Sequence, residues 1–320
     1  MRLLLSMGTR RDAGAPLRGA LRLLDTDSGR VDEVLAWAPP AGEHPGPTEH
    51  AELTGAWRDG DALIQCTRTG VLWIDLRRMV VLRAWSHPLL HDVHHALPLP
   101  GGRLAVAATG HESVLVFHGD RVESWHWLGD GLRSTTSSAG DAPPPRGWTE
   151  RHGPLRDLRV VPFDRFKPHR AHPCHLTTID GALWVTSLAD ASLRPLDGGP
   201  AITFPEGGVH DGRWIDGALW LTAVGGHVIA LDRTLRRLRT IDARAGDRQP
   251  GIPGWCRGVE VADGRVFVGF TTLRSTRHRE LLRGLLRGAA GRKRPTRVVE
   301  IGGGCWEMSE DATLYAIHAL

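Results

Sequence analysis

Long apolar runs are missing from this sequence. None approaches the roughly 18 residues of a membrane-spanning helix, and Leu3-Leu4-Leu5 is too short for the core of a signal peptide. No membrane span and a cytoplasmic location are therefore expected. Cysteine is scarce too: Cys66, Cys174, Cys256 and Cys305 are far apart and form no CxxC pair. They do not read as a disulfide framework, and reduced thiols fit that compartment better. No Walker sequence and no nucleophile elbow is present. Gly302-Gly303-Gly304 has no helix after it to make a phosphate cradle. The formal charge is only +4 over 320 residues, and much of the basicity lies between Arg274 and Arg297. No nucleic-acid partner is expected from that balance.

What is present in quantity is punctuation: 39 glycines and 21 prolines recur between short apolar runs, the mark of many short strands. Two segments match almost residue for residue, Ile179–Thr186 and Ile215–Thr222, 36 residues apart. Weaker copies stand at Ala262–Gly269, Pro100–Val106 and Asp59–Ile64. Each sets an Asp-Gly or Gly-Gly turn ahead of an alternating apolar strand, which is a hairpin signal. Further strands follow, as in His227–Asp232 and Leu238–Asp242.

Four strands per unit of roughly 36 to 50 residues is the grammar of propeller blades. A blade cannot bury both its faces alone, so such units stack. Units fall at 48–86, 91–130, 172–207, 208–243 and 255–302. Residues 1–38 supply three strands of a sixth, and Thr313–His318 its innermost strand. The expected fold is all-β, one domain over residues 1–320, a six-bladed β-propeller give or take one blade. Its ring would be closed by N- and C-terminal strands sharing a blade. Two insertions break the regularity. Residues 131–171 read as a long loop of the kind that forms lids, and residues 275–294 as a short basic amphipathic helix.

Seventeen histidines are the oddity of the composition. Aligned on the turns, His175 stands five residues before Asp180, His210 six before Asp216, and His94 and His95 six and five before Pro100. In a propeller, equivalent positions on first strands line the axis, so imidazoles from three blades would converge there. The expected metal ligands are His94 or His95, His175 and His210. His172 is expected as a further ligand or a supporting group. In the next unit Arg257 holds the equivalent place, within Gly254-Trp255-Cys256-Arg257-Gly258, where it could clamp an anionic part of a substrate. Cys174 reads as core.

The turn-and-strand units resemble those of virginiamycin B lyase, the SMP-30/gluconolactonase group and NHL-type propellers. Asp92-Val93-His94-His95, His172-Pro173-Cys174-His175, His210-Asp211-Gly212 and Gly254-Trp255-Cys256-Arg257 also look like a set of bacterial propellers without an assigned function. Gluconolactonase-like enzymes hold a divalent cation with Glu, Asn and Asp, where this chain carries histidine. A calcium-type site is therefore not implied. Carotenoid cleavage oxygenases offer all-histidine iron sites, an analogy of site only.

Together these features predict an enzyme with one transition metal, Fe(II) or Cu before Zn or Mn, acting on a small-molecule substrate that carries an anionic group. Absence of hard carboxylate ligands tilts the expectation to oxidative chemistry. A non-catalytic propeller that binds a peptide or protein is the alternative, and a lyase or hydrolase, metal-free or using a divalent cation, is a third.

Overall fold

A computed structural model describes residues 1–9, 18–39, 51–245, 253–273, 293–308 and 312–320. Residues 275–292 of the expected helix lie outside the described residues.

In chain order the strands are β1 (Arg2–Thr9), β2 (Arg18–Asp25), β3 (Val31–Trp37), β4 (Leu53–Asp59), β5 (Ala62–Thr67), β6 (Val71–Asp75) and β7 (Val80–Trp85). Then come β8 (Val93–Leu99), β9 (Arg103–Ala108), β10 (Ser113–His118), β11 (Arg121–Trp127) and β12 (Arg133–Thr136). A short helix, α1 (Trp148–His152), precedes β13 (Pro173–Ile179), β14 (Ala182–Ser187), β15 (Ser192–Pro195) and β16 (Ile202–Thr203). The last are β17 (Val209–Ile215), β18 (Ala218–Ala223), β19 (His227–Leu231), β20 (Arg237–Asp242), β21 (Trp255–Ala262), β22 (Arg265–Thr271), β23 (Arg297–Glu300), β24 (Cys305–Glu307) and β25 (Ala312–Ala319).

They form six antiparallel sheets, β4–β7, β8–β12, β13–β16, β17–β20, β21–β24, and β25-β1-β2-β3. The fold is an all-β, six-bladed propeller. By compactness the chain divides into two units, Trp37–His210 and Met1–Ala36 with Asp211–Leu320.

The turn chemistry that marks the repeat is realised as expected. Asp180, Asp216 and Asp263 sit at φ +49°, +49° and +50°, each followed by a glycine at positive φ. That pair is what a type I′ hairpin requires.

In the unit Trp37–His210, the first strands of successive blades touch, β4 with β8 and β8 with β13. One core there is aromatic: Trp125, Trp127, Trp148 and Phe117 pack with Val93, Leu115 and Leu158. In the other unit, Leu3, Leu5 and Met7 of β1 pack with Phe267, Val298, Leu314 and Ile317. There β25 pairs with β1 along nearly its whole length, from Leu3↔Ala319 to Thr9↔Ala312, so the two termini share a blade.

Residues 131–171 hold more structure than a loop. The segment contains β12, α1 and a 3-10 turn at Leu158–Val160. Ala142, Trp148, Leu158 and Val161 are buried in the aromatic core. Among the described residues, no helix is long and apolar enough to cross a membrane.

Candidate metal centre

The first strands share an irregularity that aims the site. The β4–β5 register shifts between Leu53 and Ala56, β8–β9 between Val93 and His95, β13–β14 between Pro173 and Leu176, and β21–β22 between Arg257 and Val259. A bulge re-aims the side chains beside it, and its recurrence at one repeat position marks a built feature. Counting six residues back from the first turn residue gives one side chain per blade: Thr54, His94, Cys174, His210 and Arg257.

Two of the approaches to these strands are strained. Asp92 and His172, each two residues before its site residue, take positive φ (+49° and +64°) although neither is glycine. Such conformations cost of order 1–3 kcal/mol and gather at functional sites.

Within the unit Trp37–His210 four donors converge. One ligand atom each from His94, His172, Cys174 and His210 lies within 4.8 Å of all the others. His94, Cys174 and His210 are 5%, 1% and 1% exposed, and His172 is half-buried. The His94 ring centroid lies 5.0 Å from that of His172 and 5.1 Å from that of His210. Gly55 makes room for this arrangement: a Cβ there would stand 2.0 Å from the His94 carbonyl oxygen.

His95 and His175 are outside that group. They are one residue further along, hence on the opposite side of a pleated strand, and their rings meet at a tilt of 39° with centroids 3.9 Å apart. The His95 Nδ1 accepts the Leu176 N–H at 3.3 Å.

The neighbours of the cluster set its tautomers. The Thr109 hydroxyl donates its only proton to the Pro173 carbonyl. Its oxygen, 2.9 Å from His94 Nδ1, therefore accepts from an Nδ1–H, which leaves Nε2 of His94 with its lone pair. His172 Nδ1 is 2.7 Å from His169 Nδ1, while His172 Nε2 makes no hydrogen bond. Donation from His172 to His169 leaves Nε2 of His172 bare in the same way. Burial, then the imidazoles of His94 and His169, hold His172 well below the usual histidine range, so its ring is neutral.

Behind His94 stands a buried acidic network that the sequence did not make evident. Asp92 Oδ1 lies 3.9 Å from His94 Nε2 and pairs with Arg68, which also pairs with Glu52 at 2.6 Å. Burial pushes the Asp92 carboxyl up, but Arg68, with His94, Lys167 and His172, outweighs it and holds it well below the carboxylate range. Arg68 thus ties two buried carboxylates together beside the imidazoles.

Arg257 belongs to the other unit. It is 7% exposed, with its guanidinium 4.9 Å from the Trp255 ring and 4.6 Å from the Tyr315 ring. Cys256 beside it is fully buried, and burial pushes its thiol up, away from the reactive thiolate.

No family model and no curated protein matches the chain. Among solved structures, the chain is similar to a protein of unknown function from Bacteroides caccae, with a TM-score of 0.53 at 12% identity over 99% of this chain and 97% of that one. A computationally designed protein, Ika8, gives a TM-score of 0.43 at 9% identity over 98% of this chain and 90% of that one. A chain of the mitotic checkpoint complex gives 0.43 at 11% identity, over 84% of this chain and 76% of that one. The first of these likenesses shows the fold alone. Specific similarity to virginiamycin B lyase or SMP-30 is not shown.

Proposed function

We propose that this propeller is a metal-dependent enzyme in which His94, His172, Cys174 and His210 hold one transition-metal ion that acts on a small molecule. The observation that carries the reading is the convergence of their donor atoms within 4.8 Å. Donors around one ion at bond lengths of about 2.0–2.3 Å stand roughly 3.3–3.6 Å apart. A contraction of about 1 Å would seat the ion, a small adjustment for side chains about unstrained rotamers.

Three imidazoles and a thiolate are a borderline-soft set that suits copper, iron or zinc and disfavours manganese. The thiolate cancels one charge of a divalent ion and supports its oxidised state, which favours oxidative chemistry on copper or iron. The half-buried His172 is the side from which a substrate would approach. A second reading has its own support: four protein donors can close a tetrahedron, as in structural zinc sites.

Elemental analysis of the purified protein, before and after reconstitution with each metal, tests the proposal. About one equivalent of copper or iron is expected, with a thiolate charge-transfer band for copper(II) that Cys174→Ser abolishes. Zinc alone, tightly held and without turnover, would select the structural reading. Less than about 0.1 equivalent of any transition metal after reconstitution overturns both, and favours a propeller that binds a peptide or protein.

A further inference from the structure

The segment 151–170 forms an open pocket of about 650 Å³ lined by Arg151, Arg156, Arg165, Lys167, Arg170, His152 and His169, with Phe166, Pro154 and Pro168 as its apolar wall. Five cations line it and no carboxylate does. Two of the five are neutralised from outside, Arg151 by Glu112 and Arg170 by Asp130, and Lys167 lies over the Phe163 ring. Arg156 and Arg165 are exposed and form no ion pair among the described residues. Their charge is uncompensated, and the pocket has the size of a small-molecule site.

The second observation is His152. It is 4% exposed, lines this pocket, and neither ring nitrogen makes a hydrogen bond. The nearest carboxylate oxygen, on Glu112, is 4.0 Å away. A buried polar group left without a partner is costly, so a partner from outside is favoured there. His169 adds to this. With Nδ1 engaged by His172, its Nε2, also without a hydrogen bond, carries the ring proton and is a donor to anything in the pocket.

We infer that this pocket is a binding site for a small molecule bearing a doubly charged oxyanion, a phosphate ester or a dicarboxylate, whose anionic end is gripped by Arg156 and Arg165 with His152 and His169 as hydrogen-bond partners. Guanidinium forks match both oxyanions. The apolar wall takes the uncharged part of the molecule. An anion on His169 stands one imidazole from His172, so the pocket is placed to deliver its ligand to the metal centre. That last link rests on the metal proposal; the anion site does not.

The test is calorimetric titration of chelator-treated protein with phenyl phosphate and, in a second arm, succinate, at about 50 mM salt, where surface charge is only partly screened. Saturable one-site binding in either arm is expected, and the arm that binds names the oxyanion class. Arg156→Ser with Arg165→Ser should weaken it by about tenfold or more. His152→Phe, which keeps a ring in the aromatic core, should weaken it several-fold without lowering the melting temperature. No saturable binding in either arm, or binding undiminished in the folded double variant, overturns the site. Because metal-free protein is used, failure of the metal proposal leaves this result standing.

Discussion

Thr109 and His94 are related by a single hydroxyl proton. The Thr109 O–H points to the Pro173 carbonyl, so its oxygen must receive the Nδ1–H of His94, 2.9 Å away. Orientation of a ligating histidine by an oxygen on its other nitrogen is typically worth 10- to 100-fold in metal affinity. Thr109→Val is therefore expected to weaken metal binding by about that factor, and Thr109→Ser to retain it. Competition against a chelator of known affinity reads both.

Membership of the cluster separates neighbouring histidines. His172→Asn keeps a residue that tolerates the left-handed backbone at φ +64°, yet removes a donor. It should lower the bound metal well below one equivalent. His175→Asn should leave the metal content unchanged and cost about 0.5–1.5 kcal/mol from the lost ring contact with His95. Metal content and urea midpoints, measured side by side, check the pair.

Acid should destabilise the protein well before its carboxylates titrate. Burial, assisted by the nearby His152 and His91, lowers His111 to about 3. Its Nε2–H donates to the Leu89 carbonyl at 2.8 Å, and its Nδ1 faces the Trp148 indole N–H at 3.3 Å and the Ser113 hydroxyl at 3.0 Å, so a second proton would oppose the indole N–H. An unfolded chain would take that proton at about pH 6.5. Below that pH the unfolded state binds more protons, so stability rises with pH. The contribution is complete above about pH 6.5 and is lost at about 1.4 kcal/mol per unit as the pH falls toward the folded value. His111→Gln should flatten this slope in denaturation curves between about pH 7 and 5.

Glu112 is the anchor of the 131–171 segment. Fully buried, it accepts the backbone N–H groups of Arg170 and Ala171 and the Nε of Arg151. Glu112→Ala should destabilise the protein by about 2–4 kcal/mol, since it strands two buried donors and a guanidinium. Hydrogen exchange should rise in residues 148–171 before it rises in the blades.

Much of the architecture was legible because the hairpin turns are written in residue chemistry. Asp180-Gly181, Asp216-Gly217 and Asp263-Gly264 announce positive φ, and the repeat follows from them. Three of the four cluster residues were legible: His172 was expected as a further ligand or supporting group, and His94 and His210 share a six-residue offset from their turns. That offset, held strictly, would also have found Cys174; accepting His175 at five residues crossed to the other side of the pleat. The rest had no local signal. Bulges at Val93/His95 and Pro173/Leu176 and the left-handed Asp92 and His172 are set by packing between blades. The hold of Glu112 on Arg170 and Ala171 spans 58 and 59 residues of sequence.

The pairing of β25 with β1 has a consequence for synthesis. Strands β1 to β3 leave the ribosome before the other five blades, yet the strand that completes their sheet follows all of them. Until then β1 offers an open row of amides to any neighbouring nascent chain. Crowded translation on one messenger is thus where this protein is most exposed to mispairing, and the eight residues of β25, Ala312–Ala319, end that exposure.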